Sequence, residues 1–441
     1  MSGRAKSLVH LAASSLALLA LVSPSFARAG GNDDGLALRS AADVGFVMMD
    51  EDGFVLARLT QDLFWDGLEL TLSAPLRLRV LNRAPDDDGV IREQDWDEAS
   101  DFARIVPRAR FARAWEDAEV VALFGEENGV SVGHGSVADL YFNSLDMDHY
   151  QGGLVLKGQG AGNGLEFLMD NVVEPEILVG RGFVAPLAWF LGGSWPRRLE
   201  LGYTLGADIA APRHLTASGP TALVVTGGDI SLRVVDMEWL RLTPYLDVNV
   251  MDGEAGVHLG VSSWWRLSEE PRVSLLAKGE YRHLGSDYHP AVFNPFYDRM
   301  RRCYGTDPDT GETPTFADHL ASSEDPVSDA FMFDVGLVWE EHLKLGARYD
   351  REGQGRPHWV MFRLDVEPWD DVNLAGFYAG EDTRGGSGLF SYDALIGAEA
   401  RGKVWGPLYL FAELTRMWRR MDGDVPFANE AGGGIGLVMV Y

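Results

Sequence analysis

The sequence predicts an all-β protein, built as a single antiparallel β-barrel that crosses a membrane, with about 18 strands in a range of 16–20. Two observations carry this prediction. Segments with alternating apolar and polar side chains fill nearly the whole chain, and each is about ten residues long, which is what a tilted strand needs to cross a bilayer. Tryptophans cluster near the ends of these segments, as they do at membrane interfaces.

Composition narrows the class of protein further. The 441 residues include 38 Lys and Arg against 66 Asp and Glu, a formal net charge of −28. Such an acidic chain lacks the basic face of a general nucleic-acid binder. The single cysteine cannot form a disulfide within the chain, and a hydrophobic content of 46% excludes a disordered chain.

The N-terminus has the pattern of a secretory signal peptide. Arg4 and Lys6 precede an apolar stretch at 11–22, and small residues flank Arg28 before a cleavage site near Ala29. The apolar stretch is too short to span the hydrocarbon core of about 30 Å. We therefore predict removal of residues 1–29, with an uncleaved membrane anchor as the alternative.

Alternation in the mature chain is clearest at 240–250. Leucines and valines occupy one face of this segment, and the other face carries Arg241 and Asp247. A soluble β-sandwich shows the same alternation, but segments of membrane-spanning length with no second type of element favour a membrane barrel. Because backbone polar groups must pair internally in hydrocarbon, a sheet can span a membrane only as a closed barrel.

The last strand carries the most specific signal. Ile435, Leu437, Met439 and Tyr441 alternate up to a C-terminal aromatic residue. Together with the signal peptide and the alternation, this end resembles the terminal strand of bacterial outer-membrane β-barrel proteins of the porin-like class. The resemblance implies an outer-membrane location, with outer-membrane lipids and the assembly machinery that recognises the terminal strand as partners. The alternative is a soluble secreted β protein that ends in tyrosine by chance.

The resemblance divides the chain into a signal peptide (1–29), an N-terminal periplasmic segment (30–43) and the barrel (44–441). Residues 285–327 show no strand pattern, and we predict a long extracellular loop there, because long loops face outward in such barrels. The acid-rich loop 82–101 stays unassigned to either side, since the strands before it count to an odd number. The segments at 44–64 and 101–124 are the most ambiguous in that count.

Charged residues on the inward faces are the predicted selectivity residues of the lumen, since opposed charges across a watery lumen select ions. The wall candidates are Arg241, Asp247, Arg272, Lys278, Glu280, Arg282, Arg348, Arg363 and Asp365. The long loop adds a basic run with Arg299, Arg301 and Arg302. This run folds into the lumen and pairs with wall carboxylates, binds anionic lipid head groups, or forms a solvated loop helix.

His134 and Ser136 form the one pair that suggests catalysis. In a predicted strand they share a face, as in the base and nucleophile of outer-membrane lipid A deacylases, which the pair resembles. The barrel is far larger here, and the flanking glycines indicate tight packing or a kink. Zinc motifs, a P-loop, GxSxG and a dinucleotide-binding fingerprint are absent from the sequence. We therefore predict no catalytic residue, no metal and no cofactor.

The function that the sequence favours is a passive channel for small hydrophilic solutes. Two alternatives stay open: a barrel enzyme that acts on membrane lipids through His134 and Ser136, and a closed structural or surface-binding barrel. Periodicity identifies neither the solute, nor an open lumen, nor the oligomeric state.

Overall fold

The computed structural model describes residues 36–83, 89–115, 118–126, 128–160, 162–191, 195–213, 221–304, 314–322, 325–340, 342–354, 356, 358–369, 372–382, 394–419 and 425–440. The predicted signal peptide and Tyr441 lie outside these residues.

Twenty antiparallel strands of the described residues form one closed ring, in which each strand pairs with its neighbours in the chain. The ring strands are β1 (Ala37–Met49), β2 (Asp52–Trp65), β3 (Leu68–Leu81), β4 (Arg108–Ala114), β5 (Ala118–Gly125), β6 (Gly153–Gly160), β7 (Asn163–Met169), β8 (Ile177–Val184), β9 (Leu199–Ala211), β10 (Thr221–Leu232), β11 (Leu240–Met251), β12 (Glu254–Ser268), β13 (Val273–Leu284), β14 (Ser328–Trp339), β15 (Leu343–Arg351), β16 (His358–Trp369), β17 (Val372–Asp382), β18 (Ala394–Trp405), β19 (Leu408–Trp418) and β20 (Phe427–Val440). The last strand closes the ring on the first, with Val44 opposite Ile435. The ring therefore has two strands more than the predicted number of about 18, at the upper limit of the predicted range of 16–20.

Side chains alternate across the wall as predicted. On β11, Asp247 is 1% exposed, whereas its neighbours Leu246 and Val248 are exposed on the outer face. On the C-terminal strand, Ile435 and Leu437 are likewise exposed outward. The outer face is thus apolar and the inner face polar, and a closed ring leaves no sheet edge unpaired.

The barrel begins earlier in the chain than predicted. Strand β1 starts at Ala37, inside the segment 30–43 that we expected to lie outside the barrel. The ambiguous segment 44–64 contains the end of β1, a turn and most of β2, and 101–124 contains a 3-10 helix followed by β4 and most of β5. These assignments make the number of strands even.

An even number of antiparallel strands places both ends of the barrel chain at one end of the ring, called here the terminal end. The strand ends that flank the connections 82–107, 126–152 and 285–327 all lie at the opposite end, called here the loop end. The acid-rich loop 82–101, which the sequence left unassigned, is therefore on the same side as 285–327. The short turn at 269–272 lies at the terminal end.

Exposed tryptophans mark the terminal end. Trp65, Trp115, Trp189, Trp239 and Trp405 are each more than half exposed, and each lies beside a turn at that end. An outward ring of tryptophans at one level is the pattern of an interfacial aromatic girdle.

Two connections at the loop end fold into the barrel. We call the described residues 126 and 128–152 the first inner loop, and the described residues 285–304, 314–322 and 325–327 the second inner loop. A parallel bridge joins them at Ala138 and Phe293, where the Asp139 N–H donates to the Phe293 carbonyl at 2.9 Å. Tyr141, Phe142, Phe293, Phe296 and Tyr297 are at most 1% exposed and belong to one hydrophobic cluster. A hydrophobic core therefore occupies the inside of the barrel.

Short elements complete the fold. They are the helices α1 (Tyr297–Met300) and α2 (Phe316–Ser322), the 3-10 helices Glu93–Asp95, Ser100–Ile105, Pro186–Trp189 and Trp195–Arg198, and the short strands Asn128–Val130, Tyr141–Phe142 and Val235–Asp236. Within the described residues, none of the helices has the length and hydrophobicity of a transmembrane helix.

Candidate functional site

A partly open cavity of about 260 Å³ lies between the barrel wall and the first inner loop. Its wall comes mainly from β1, β2, β3, β18, β19 and β20, the strands on either side of the closing seam. Its charged lining residues are Arg39, Asp43, Arg58, Asp62, Arg77, Arg104, Arg108, Glu126, Asp146, Arg401, Glu413 and Glu430. Six arginines thus face six acids, and the cavity is close to the size of a small-molecule site, for which ~300–1,000 Å³ is common.

Arg58 on β2 lies at the centre of this lining. Its Nε donates to Asp43 Oδ2 at 2.9 Å, and its Nη2 donates to Glu413 Oε1 at 2.9 Å. The Tyr409 hydroxyl also donates to Asp43. One guanidinium group therefore neutralises carboxylates on two strands, β1 and β19, on opposite sides of the closing seam.

The loop before β4 contributes Arg104 and Pro107 to the cavity lining, and its Asp95 is completely buried. Asp95 lies 3.0 Å from Arg77, 2.6 Å from Arg92 and 3.1 Å from Arg104, measured from carboxylate oxygen to guanidinium nitrogen. Burial alone raises the pKa of Asp95, but the three arginines overcome this effect and hold the pKa at about 2. This carboxylate is therefore ionised at any physiological pH, and it pairs with three arginines, of which Arg77 and Arg104 line the cavity.

Glu126, at the start of the first inner loop, has no ion pair within 4.0 Å among the described residues. Burial raises its pKa to about 7, because removal from water outweighs the charges of Arg104 and Arg58. Of the cavity carboxylates, this one is poised to change its charge near neutral pH.

The charge preference of the cavity should therefore depend on pH. Below the pKa Glu126 is neutral, and above it the cavity gains one negative charge, so cation preference should rise as pH passes through about 7. Reversal potentials in a salt gradient at about pH 5.5 and about pH 8.5 would measure this. Glu126→Gln should abolish the shift, and Glu51→Gln, in an exposed turn, is the matched control. An equal shift in Glu126→Gln would contradict the assignment.

Four of the nine predicted wall charges, Lys278, Glu280, Arg282 and Arg348, lie in one network inside the barrel instead of facing water. Arg348 donates to Asp139 of the first inner loop, and Arg282 donates to Asp350 at 2.7 Å. Glu280 accepts hydrogen bonds from Tyr245 and Arg282, and Lys278 Nζ lies 3.9 Å from Asp139. Through Asp139, Arg348 and Lys278 attach the first inner loop to the wall.

The other wall candidates are spread along the barrel. Arg363 lies 3.5 Å from Asp334, and Asp365 accepts from Lys344 at 3.2 Å. Arg241 lies 3.5 Å from Asp236 and over the Trp264 ring, near the terminal end. Arg272 differs from the expectation, because it lies exposed in the turn before β13 and does not line the lumen.

The basic run of the second inner loop folds into the barrel, which is one of the three alternatives predicted for it. Arg301 is 2% exposed, and its Nη2 donates to Asp208 Oδ1 on β9 at 2.9 Å. Arg299 packs over the Phe427 ring, with its guanidinium carbon 4.9 Å from the ring centroid. Arg302 is half-buried. The run therefore lies inside the barrel, where Arg301 pairs with a wall carboxylate.

His134 and Ser136 do not lie on a strand, which corrects the sequence prediction. They form part of a turn in the first inner loop, where Gly133 and Gly135 have φ of 60° and 78°. The Ser136 hydroxyl pairs with Asp247, and the His134 ring stacks on Tyr245 at a centroid distance of 4.2 Å. The two side chains therefore have separate partners.

The chain is a closed β-barrel. No protein-family model matches it, and the curated proteins include no match. Among solved structures it is similar to OccAB3 of Acinetobacter baumannii, with 9% identity over 92% of this chain and 99% of that chain and a TM-score of 0.34. It is similar to the Pseudomonas aeruginosa outer membrane protein opdK, with 8% identity over 93% and 100% and a TM-score of 0.32. It is also similar to Pseudomonas aeruginosa OccK2 (OpdF) in complex with glucuronate, with 9% identity over 92% and 96% and a TM-score of 0.33.

Sequence reasoning missed several cavity residues on the first strands. Arg39 and Asp43 share the inner face of β1, as Arg58 and Asp62 share that of β2. The signal was present as a basic and an acidic residue four positions apart, on one face of each segment.

Proposed function

We propose that this barrel is an outer-membrane channel for small hydrophilic solutes, which pass along the charged cavity at the closing seam. The observation that carries the proposal is the cavity itself, because six arginines and six acids face it from inside a closed ring. The apolar outer face and the tryptophans at the terminal end suit a bilayer. The N-terminal pattern and the alternating last strand support the outer membrane as the location.

Selectivity in this proposal comes from the cavity and not from the buried network of Arg282 and Arg348. Guanidinium and carboxylate groups on facing walls create a transverse field, which favours solutes that carry charged or strongly polar groups. The terminal end is then periplasmic, and both inner loops enter from the outside.

Conductance of the refolded mature chain in a planar bilayer tests the channel. We expect stable single-channel steps. Arg58→Ala should make the pore more cation-selective, because Asp43 and Glu413 lose their shared cation. Arg113→Ala, an exposed residue beside Asp66 at the terminal end, is the matched control and should leave the reversal potential unchanged. A correctly folded barrel that conducts no ions would overturn the proposal.

A closed structural or surface-binding barrel is the second candidate, and one observation favours it. The inner loops place a hydrophobic core inside the ring, and Arg282 and Arg348 are at most 3% exposed. A silent bilayer recording with the intact chain would favour this function. The lipid-enzyme alternative gains no such support, since Ser136 pairs with Asp247.

A further inference from the structure

Three side chains with metal-binding atoms converge at the base of the second inner loop. His289 Nε2 lies 3.1 Å from Asp325 Oδ2, and His319 Nε2 lies 3.3 Å from the same oxygen. One ligand atom from each residue lies within 4.8 Å of the other two. Both imidazoles thus direct Nε2 at one carboxylate oxygen.

The spacing matches a single transition-metal ion. Ligand atoms at about 2.0–2.1 Å from a tetrahedral Zn²⁺ are about 3.3 Å apart, close to the two distances from Asp325 Oδ2. Two imidazole nitrogens and one carboxylate oxygen suit Zn²⁺ better than Ca²⁺ or Mg²⁺, which prefer oxygen ligands.

One buried carboxyl group lies close to His289. Glu352 is 2% exposed, and its Oε2 lies 4.0 Å from His289 Nδ1. A carboxyl group that hydrogen-bonds the second nitrogen of a ligating imidazole orients the ring, and Glu352 is placed on that side of His289. Phe316 and Tyr304 pack against the histidine rings, with centroid distances of 4.9 Å to His289 and 4.4 Å to His319 respectively.

Local structure holds each ligand in place. The Asp325 N–H donates to Asp287 Oδ1 at 2.7 Å, which fixes the backbone at the end of the loop. Helix α2 begins after Thr315, whose hydroxyl accepts from the Asp318 N–H at 3.1 Å, and this N-terminal cap orients His319. Arg356 Nε lies 3.7 Å from Asp325 Oδ2 without a hydrogen bond, so the hydrogen bonds of this oxygen go to the two histidines.

A second cluster, His134 with Asp229 and Asp247, fits a metal less well. Arg181 donates to both oxygens of Asp229, at 2.8 and 3.0 Å, and so already occupies that carboxylate.

We propose that His289, His319 and Asp325 bind one divalent transition-metal ion, such as Zn²⁺, which joins the two ends of the second inner loop. His289 follows the end of β13, and Asp325 precedes the start of β14. The ion therefore closes the loop near both points where it leaves the wall, and it stabilises the folded form by mass action. The site is independent of whether the cavity conducts.

Zn²⁺ and Co²⁺ titrations of the full-length mature barrel test the site. The chain is produced without a histidine tag, refolded in detergent and treated with a chelator. We expect one equivalent of metal, a visible d–d spectrum for bound Co²⁺ and a rise in Tm with Zn²⁺. His319→Ala and Asp325→Asn should each weaken binding by more than the 10- to 100-fold loss that removal of an outer-shell partner causes, and Glu352→Gln should fall within that range.

His342→Ala, an exposed histidine at the terminal end, is the matched control and should bind as the unmodified chain does. Circular dichroism establishes that each variant is folded. If His319→Ala does not refold, the comparison of metal affinity is made with Asp325→Asn alone. Equal affinity in Asp325→Asn and His342→Ala would overturn the proposal. Binding of less than one equivalent, or equal competition by Mg²⁺, would overturn it as well.

Discussion

Asp139→Ala is expected to release the first inner loop from the barrel wall, at a cost of about 3–5 kcal/mol, the usual loss when one member of a buried ion pair is removed. Asp139 is 3% exposed and accepts hydrogen bonds from Arg348 and from Ser131 Oγ, the latter at 2.7 Å. Burial opposes its ionisation, but Arg348 and Lys278 lower its pKa, so the carboxylate is charged. In the variant, Arg348 still lies 3.3 Å from Asp350. Asp350 also pairs with Arg282, so it neutralises Arg348 only in part.

Amide hydrogen exchange of residues 131–142 in the folded barrel measures this effect. Protection should fall in the inner loop and persist in the ring strands, because the lost contacts join the loop to the wall. The double variant Asp139→Leu with Arg348→Met should cost less than Asp139→Ala alone, since neither charge is then left buried without its partner. Unchanged protection in Asp139→Ala would show that the ion pair does not hold the loop.

Replacing most of the second inner loop with a short glycine-serine linker is expected to raise single-channel conductance several-fold. A ring of twenty strands encloses more space than the 16–18-stranded porins, which already leave an aqueous channel. Leu284 and Ser328 are opposite each other at the ends of β13 and β14, so a short linker can join them without moving the strands. The loss of Phe293, Phe296 and Tyr297 removes much of the hydrophobic core from the lumen.

Conductance and the size of polyethylene glycol that enters the pore measure this change. The same linker inserted in the turn Asp252–Gly253, also at the loop end, is the control and should leave the conductance unchanged. Equal conductance in the loop-replaced barrel would place the solute path away from the second inner loop.

The wall was predictable from sequence because side-chain alternation is a local property. Each membrane strand needs an apolar outer face, and β11 shows it without ambiguity. Strand β1 was missed in part, because small residues such as Ala41 and Gly45 on its inner face obscure the alternation. The predicted number of about 18 strands was two too low for the same reason. Strands were counted back from the C-terminus, so one segment with unclear alternation shifts the count of every strand before it.

The interior was not predictable, because its contacts join parts of the chain that are far apart in sequence. Phe293 meets Ala138, and His289 meets Asp325, with no fixed spacing that a motif could capture. The one local signal was an excess of aromatic residues in 285–327, which a fully solvated loop does not need. For Arg301 the sequence predicted pairing with a wall carboxylate but did not indicate which one. In the structure the partner is Asp208.

The barrel wall separates two different solvents. The outer face meets one of them, and the core formed by the two inner loops folds in the other. In the proposed location, the outer face meets hydrocarbon, where burial of apolar groups brings no hydrophobic gain. The core around Phe293 and Tyr141 forms against water, as in a soluble protein. Urea and cooling weaken the burial of the core against water. They leave the contact of the outer face with hydrocarbon largely untouched. The interior thus behaves as a small water-soluble domain carried inside a membrane protein, and it can loosen while the ring around it stays intact.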